Sequence, residues 1–276
     1  MHNVTNSSNT HAIVIGGSMA GLLTARVLSD HFDRVTIIER DEVHDQPEVR
    51  KGQPQVRHLH GLLAHGFQIM THYFPDLPTA LTEGGALVND MGEGMRWFCY
   101  GGYRRRVTFG HQGALMSRPF LEWLIRRRVL TLPNITLLDR CDVDEPIASL
   151  DNRAITGVAV IERAAGNRRR ELAADLVVDA AGRGSAAPKW LEALGYTRPE
   201  ESLVKVNVGY ATRIYRRNPQ EAGANDWIFI TPDAPKEKRM GGAFPIEGDR
   251  WVVSVGGWSG DHGPTDEAAF LQFAKS

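Results

Sequence analysis

A glycine-rich turn near the start of the chain constrains the fold more than any other feature. The turn, Gly16-Gly17-Ser18-Met19-Ala20-Gly21, directly follows the short apolar segment His11–Ile15, which has the pattern of a strand buried in a parallel sheet. Behind the turn, apolar residues recur at the spacing of a helix, and a second apolar segment, Arg34–Ile38, ends in Glu39. This order of strand, glycine turn, helix, strand and acid predicts a dinucleotide-binding βαβ unit in an α/β protein.

Each position of this unit has a physical role. Gly16 permits the tight turn, Gly21 lets the helix approach the sheet, and the helix N-terminus presents N–H groups and a positive dipole to a pyrophosphate. Ser18 replaces the central glycine of the usual G-x-G-x-x-G pattern, and its hydroxyl can add a contact to the phosphates. Glu39, about twenty residues after the first glycine, is placed to accept hydrogen bonds from a ribose diol, where its charge would repel a 2′-phosphate. FAD or NAD is therefore expected here rather than NADP.

Composition excludes several other classes of protein. The 276 residues carry a formal net charge of -1, so no general positive field recruits nucleic acid. No apolar run approaches the ~20 residues needed to span a bilayer, and residues 1–10 have the polar composition of a flexible tail without an export signal. Cys99 and Cys141 form no CxxC pair, which indicates a reducing, cytoplasmic location. The arginine clusters at 104–106, 126–128 and 168–170 are interpreted as solvated surface.

Three further motifs can be placed on predicted elements. Arg118 lies at the first turn of a helix predicted over 117–130. A strand over 135–138 leads to the polar segment 141–145. Later, an apolar strand breaks into the turn Asp179-Ala-Ala-Gly-Arg183, which a second helix follows.

In this order and spacing, the motifs resemble those of the flavoprotein monooxygenases of the para-hydroxybenzoate hydroxylase fold, in particular the bacterial hydroxylases and epoxidases whose first motif reads GGSxAGL. The resemblance extends over residues 11–276 and implies an α/β fold in which a Rossmann-like FAD-binding domain carries a β-rich substrate domain. It also implies FAD as cofactor, with Arg118 at the flavin nucleotide, the backbone of Val143 at the adenine and the Asp179 turn at the pyrophosphate. The cofactor-binding residues that it implies are Gly16, Gly17, Ser18, Met19, Ala20, Gly21, Glu39, Arg40, Arg118, Val143, Asp179, Ala181 and Gly182.

The same resemblance implies an activity. The chain is expected to be a FAD-dependent monooxygenase that uses NAD(P)H as co-substrate and O2 to hydroxylate or epoxidise an apolar small molecule (aromatic, polyketide or isoprenoid) through a flavin C4a-hydroperoxide. Two other flavin chemistries stay open, isoprenoid double-bond reduction and halogenation, although the W-x-W-x-I-P run of halogenases is absent. A truncated, non-catalytic flavin-binding protein is the third alternative.

No catalytic residue can be assigned from the sequence. The segment Gly52–Leu63 resembles a run that enters a helix near the flavin ring in the same subgroup, which makes Arg57, His58 and His60 candidates for a role beside the ring. A metal site is not predicted, because the i, i+2 spacing sends the two histidines to different sides of a helix or turn, and no cysteine lies near them.

Domain boundaries follow from a change in composition in the last third of the chain. Residues 11–198 are predicted to form the FAD-binding domain and residues 199–276 an incomplete β-rich substrate domain, to which residues 84–113 contribute. The strands predicted in the second domain are 202–215, 226–230, 241–245 and 250–256. Relatives carry a late Gly-Asp motif after an apolar strand, and neither Gly248-Asp249 nor Gly260-Asp261 has that context. The last part of the flavin site is therefore expected to be missing, and the chain is not expected to turn over alone.

Overall fold

Residues 9–276 are described by the structure, a computed structural model, and they fall into two units. The first unit comprises residues 9–52 together with Glu122–Ser202, and the second comprises Gln53–Leu121 together with Leu203–Ser276. Residues 84–113 thus share a unit with the C-terminal strands. Of the tail predicted over 1–10, residues 1–8 lie outside the described residues.

The described residues form α-helices and strands of two to eight residues. The α-helices are α1 (Met19–Leu28), α2 (Ala64–Tyr73), α3 (Leu77–Glu83), α4 (Met91–Gly94), α5 (Arg118–Leu130), α6 (Ala187–Ala193) and α7 (Glu267–Lys275). The strands are β1 (His11–Ile15), β2 (Arg34–Ile38), β3 (Gly61–Leu62), β4 (Leu87–Asp90), β5 (Met95–Cys99), β6 (Gly102–Tyr103), β7 (Gln112–Leu115), β8 (Ile135–Leu138), β9 (Cys141–Ala148), β10 (Ile155–Glu162), β11 (Arg168–Ala173), β12 (Leu176–Asp179), β13 (Gly209–Arg216), β14 (Trp227–Ile230), β15 (Arg239–Ile246) and β16 (Arg250–Gly257).

A four-stranded parallel sheet in the order β12-β1-β2-β8 forms the centre of the first unit. All five residues of β1 are buried, because β1 has a neighbouring strand on each edge and α1 packs on it and on β2. The register places Ile15 beside both Ile38 and Asp179. The carboxyl ends of three strands therefore meet at one edge, which is where α/β sheets bind their ligands.

An antiparallel sheet in the order β11-β10-β9 completes the first unit. Val158 and Val160 on β10 are fully buried and pack in one core cluster with Ile13 and Ile38 of the parallel sheet. Alternate residues of a strand face the same side, so this pair holds β10 against the parallel sheet.

The second unit contains a six-stranded sheet in the order β13-β16-β15-β14-β5-β6. β5 comes from the first segment of the unit and pairs parallel with β14 from the second. On one face, Trp227 and Phe244 pack with Leu115 of the small sheet β3-β7-β4. On the other face, Phe270 of α7 packs against Val255 and its neighbours. The small sheet covers only part of the face that carries Trp227 and Phe244, and the rest of that face borders a cavity.

The mixed α/β fold predicted from the sequence is confirmed, but two local predictions are wrong. The strand predicted over 202–215 begins only at Gly209, and the preceding Leu203 and Val204 are exposed rather than buried as strand residues. Arg126, interpreted as solvated, is buried, because its Nη2 donates to the carbonyls of His44 at 2.9 Å and Gln46 at 3.3 Å in the loop after β2.

Candidate functional site

The glycine turn joins β1 to α1 at the carboxyl edge of the parallel sheet. The N–H of Gly16 donates to the Ile38 carbonyl at 2.7 Å, and the N–H of Ala180 donates to the Ile15 carbonyl at 2.8 Å. Gly16 has a φ of +106°, and a Cβ built on Gly21 would stand 1.7 Å from the Gly16 carbonyl oxygen. Only glycine fits both positions, so helix and strand approach as closely as a phosphate-binding turn requires.

The N-terminus of α1 is open to an anion. Ser18 is its N-cap residue but makes no side-chain cap hydrogen bond, and the first turn contains no acidic residue. The first N–H groups of the helix therefore stay available for a ligand. The Ser18 hydroxyl, which the sequence offers to the phosphates, instead donates to Glu122 Oε2 at 2.7 Å, because a buried carboxylate is a strong acceptor.

Glu39 is buried at the end of β2, and its carboxylate already makes three contacts within the chain. Oε2 accepts from the Gly17 N–H at 2.9 Å and lies 2.9 Å from Arg50 Nη1. Oε1 accepts from the Asp41 N–H at 2.9 Å. A carboxylate has about four acceptor sites, so one is left for an external donor such as a ribose hydroxyl.

The Asp179 turn lies beside the glycine turn at the same sheet edge. Asp179 is level with Ile15 in the register, and its Oδ1 accepts from the Ala181 N–H at 2.8 Å. Ala181 and Gly182 are exposed, and no atom lies within 4 Å of the place that a Gly182 side chain would take. The structure thus brings this predicted segment next to Gly16, with free space in front of it.

The start of β9 lies beside the end of β2. The Cys141 N–H donates to the Glu39 carbonyl at 3.0 Å, and a cleft of about 370 Å³ opens next to this contact. The side chain of Val143 is half-buried and packs against the core cluster of the first unit. The residues that line the cleft are Arg40, Asp41, Glu42, Arg140, Arg163 and Ala164.

Sequence reasoning misses two buried charged residues behind the glycine turn, Arg50 and Glu122. Arg50 Nη2 donates to the Gly17 carbonyl at 3.0 Å and forms a very short ion pair with Glu122. Their side chains are only 3% and 4% exposed. Arg50 lies in a loop without a periodic pattern, and the only signal on α5 is the i, i+4 spacing of Glu122 and Arg126.

The remaining predicted residues, Arg57, His58, His60 and Arg118, belong to the second unit. His58 Nδ1 lies 2.8 Å from Thr212 Oγ1, which is itself 2.6 Å from Ser254 Oγ. His60 donates from Nδ1 to the His58 carbonyl at 2.8 Å. Burial and the nearby Arg118 charge lower the pKa of His60, so its ring is neutral at neutral pH. Arg57 is exposed at the end of a 3₁₀ turn.

A cavity of about 170 Å³ lies on the open half of the six-stranded sheet. Two glycines make room for it: a Cβ on Gly256 would collide with Tyr210, and one on Gly242 would stand 3.2 Å from Leu59. Its lining is mainly apolar, and Tyr210 and Ser254 are the lining residues that carry a hydroxyl group. The residues that line it are Leu59, Tyr210, Phe229, Met240, Gly241, Gly242, Ser254, Val255 and Gly256.

Other kinds of site receive no support from the described residues. Within residues 9–276, no group of three or more His, Cys, Asp or Glu side chains is placed to hold a metal ion. In the same range, no helix has both the length and the apolarity needed to cross a membrane. Asp261 of the Gly260-Asp261 pair forms a 3.0 Å ion pair with Arg239, which accounts for its carboxylate without a flavin.

Comparison with known proteins finds relatives by sequence and by structure. No family model matches the chain. The chain is 42% identical to "Protein Rv3254" of Mycobacterium tuberculosis in an alignment 258 residues long, which covers 90% of this chain and 53% of that protein. The chain therefore spans about half the length of the curated relative that it matches.

Solved structures resemble the chain at low sequence identity. PqsL of Pseudomonas aeruginosa, described as a probable FAD-dependent monooxygenase, matches with a TM-score of 0.67 and 15% identity over 90% of this chain and 61% of PqsL. p-Nitrophenol 4-monooxygenase PnpA of Pseudomonas putida matches with a TM-score of 0.65 and 16% identity over 95% of this chain and 60% of PnpA. The myxobacterial FAD-dependent chondrochloren halogenase CndH matches with a TM-score of 0.59 and 15% identity over 95% of this chain and 54% of CndH. The chain therefore has the mixed α/β fold that these FAD-dependent monooxygenases and halogenases share.

Proposed function

We propose that this chain is a FAD-dependent monooxygenase of the GGSxAGL subgroup, which uses NAD(P)H and O2 to hydroxylate or epoxidise an apolar small molecule. The observation that carries the proposal is the open N-terminus of α1 behind the glycine turn. This cradle fits the ADP half of FAD, because glycine at Gly16 and Gly21 lets the turn and the helix approach the sheet edge closely, and the N–H groups and dipole of the helix attract a pyrophosphate. The acidic Glu39 beside it suits a ribose without a 2′-phosphate.

The proposal assigns the cofactor contacts as follows. Gly16 to Gly21 and the Asp179 turn would hold the pyrophosphate, and the remaining acceptor site of Glu39 would hold the ribose. The cleft next to Arg40 and the start of β9 would hold the adenine against the Val143 backbone. Arg118 would contact the flavin nucleotide. The full set proposed is Gly16, Gly17, Ser18, Met19, Ala20, Gly21, Glu39, Arg40, Arg118, Val143, Asp179, Ala181 and Gly182, with Ser18 acting through its backbone.

The cavity on the six-stranded sheet is the proposed substrate site. When bound and reduced by NAD(P)H, FAD would pass two electrons to O2, one atom of which goes to the substrate and the other to water. The chain's own part is to hold the substrate and to exclude water from it. Leu59, Phe229 and Met240 give the cavity apolar walls, which supports an apolar substrate.

His58 is proposed as a proton acceptor for a substrate hydroxyl. A hydroxyl that donates to Ser254 Oγ lets Ser254 donate to Thr212, and Thr212 donate to His58 Nδ1. Ser254 and Thr212 each pass on one proton and receive another. The net proton transfer therefore leaves an imidazolium at His58 and a substrate anion in the cavity. The anion is richer in electrons than the neutral substrate, which favours attack on an electrophilic oxygen. His60 would position His58 by donating a hydrogen bond to the His58 carbonyl. The proposal includes no role for Arg57.

Flavin titration tests the cofactor assignment. The whole chain is mixed with FAD, FMN or ADP, and binding is followed by quenching of flavin fluorescence. FAD should bind, ADP should compete with it, and FMN, which lacks the AMP part of FAD, should bind far more weakly. Equal binding of FMN, or no binding of FAD, would contradict the proposal.

Labelled oxygen separates the alternative chemistries. With NADH or NADPH and a panel of phenols, polyketide fragments and isoprenoids, a product that carries oxygen from labelled O2 supports the monooxygenase and contradicts the expectation that the chain does not turn over alone. A reduced double bond without label indicates a reductase, and a halogenated product formed with bromide or chloride indicates a halogenase.

The hydrogen-bonded chain to His58 has its own test, which uses 4-nitrophenol because its anion is yellow. An apolar cavity alone raises the pKa of a bound phenol, whereas proton transfer to His58 lowers the pKa of that phenol. We therefore expect wild-type protein to bind 4-nitrophenol as the anion at a pH where the free phenol is still neutral. Thr212→Val should reverse the shift and Thr212→Ser should keep it. A raised pKa of the phenol in the wild type would rule the transfer out.

A further inference from the structure

We propose that Ser18, Arg50 and Glu122 form a buried brace that orients the Gly17–Ser18 peptide toward the cofactor pyrophosphate, which makes all three positioning residues. The inference rests on the proposed function, since it concerns the same cofactor site. It assigns a role to two charged residues that lie behind the glycine turn rather than in it.

The brace holds the glycine turn from three sides. Arg50 Nη2 donates to the Gly17 carbonyl at 3.0 Å, and the Ser18 hydroxyl donates to Glu122 at 2.7 Å. Arg50 in turn joins Glu122 to Glu39, from which its Nη1 lies 2.9 Å away. Glu39 accepts the Gly17 N–H, so every polar group of Gly17 is engaged on the interior side.

Peptide geometry converts this arrangement into an orientation. In a planar trans peptide, the C=O and the N–H of the same unit point in opposite directions. Because Arg50 holds the Gly17 carbonyl toward the interior, the N–H of Ser18 points away from it, in the direction in which an anion would approach. A flipped peptide would turn the carbonyl oxygen toward the phosphates instead and would repel them. Arg50 therefore selects the orientation of the turn that can bind an anion.

The charges of the brace balance in the interior, which is why such a costly arrangement can persist. Burial by itself would lower the pKa of Arg50, but Glu122 and Glu39 together raise the pKa of that guanidinium above its ordinary value, so it stays charged. Arg126 Nη1 lies 3.8 Å from Glu122 and supplies the second positive charge. Two carboxylates thus face two guanidinium groups, which is the condition under which buried ions are tolerated.

The serine at the central position of the glycine motif also finds an explanation. A glycine there would leave Glu122 without its hydroxyl donor, and the second side of the brace would be lost. The proposal therefore predicts that Ser18 and Glu122 act as a pair on cofactor affinity, although neither side chain touches the cofactor.

Affinities for ADP and FAD test the brace in the whole chain. Arg50→Met should weaken both ligands by the same factor, about tenfold or more, because one charge-assisted N–H contact to the pyrophosphate is lost. Arg217→Met is the matched control: Arg217 is a buried arginine of the second unit, 3.1 Å from Asp249, and its loss should lower stability without changing affinity. Urea unfolding of each variant measures the stability term separately.

Milder variants keep the test decisive if Arg50→Met does not fold. Ser18→Ala and Glu122→Gln should each weaken ADP several-fold, and the double variant should lose less than the two effects combined. Three results would overturn the brace while leaving the proposed function intact. They are fully independent effects of Ser18→Ala and Glu122→Gln on affinity, unchanged affinity in both variants, and an equal loss of affinity in Arg217→Met. A wild-type chain that binds neither ADP nor FAD would overturn both.

Discussion

One methyl group at Gly21 should separate cofactor binding from folding. A Cβ at this position would stand 1.7 Å from the Gly16 carbonyl oxygen, whereas real Cβ atoms essentially never come within 3.0 Å of such a neighbour. The first turn of α1 must therefore move away from the glycine turn by more than about 1 Å, which a close-packed contact cannot absorb without strain. Overpacking of this kind lowers the free energy of unfolding by about 3 kcal/mol, the upper end of its usual range. The higher helix propensity of alanine raises it by about 1 kcal/mol.

The expected result for Gly21→Ala is a folded chain, about 2 kcal/mol less stable, with its affinity for ADP and FAD lost. Urea unfolding measures the first quantity and flavin titration the second. Gly184→Ala is the control, because nothing lies within 4 Å of its Cβ position and its backbone is not left-handed, so it should stay within about 0.5 kcal/mol of the wild type. A Gly21→Ala protein with wild-type stability and wild-type affinity would refute the close approach of helix and strand.

Three further predictions concern stability and titration. Trp227 is fully buried against Phe244, so Trp227→Ala should lower the free energy of unfolding by about 3–5 kcal/mol in urea, and a loss below about 1 kcal/mol would contradict that packing. Burial raises the pKa of the Cys141 thiol to about 11, so in a Cys99→Ala background the native protein should resist thiol reagents at pH 8 and react rapidly once unfolded. Burial also lowers the pKa of His60, so the unfolded chain binds the extra proton, and stability should fall as the pH drops below about 6.5. A His60→Gln variant should show less of that decline.

The elements that the sequence predicts well are those whose local pattern decides their structure. β1, β2 and β8 have the predicted bounds, because short apolar runs flanked by polar or glycine residues leave little choice of register. The helix predicted over 117–130 is observed as α5 for the same reason, and Phe120, Leu124 and Val129 lie on its buried face. Helical periodicity places these residues on one side whatever they pack against.

Long-range pairing explains most of what could not be predicted. Arg50 meets Glu122 across 72 positions of the chain, and no spacing rule connects a loop residue to a helix residue at that distance. The same pairing explains why the Ser18 hydroxyl is directed inward. Arg126 is buried through partners that are equally distant in the chain, the carbonyls of His44 and Gln46. The chain from His58 through Thr212 to Ser254 likewise joins residues whose sequence neighbours carry no shared pattern.

The parallel pairing of β5 with β14 has a consequence for synthesis on the ribosome. Met95 pairs with Trp227, which is synthesised about 130 residues later. At a translation rate of about 5–20 residues per second, β5 is without this partner strand for roughly 6–26 seconds. β12, which completes the parallel sheet of the first unit, emerges about 50 residues earlier than β14. The parallel sheet can therefore close while β5, with Trp97 and Phe98, still presents an open strand edge. An unpaired apolar edge is a template for aggregation, so expression of this chain should depend on chaperones that shield nascent strands during that interval.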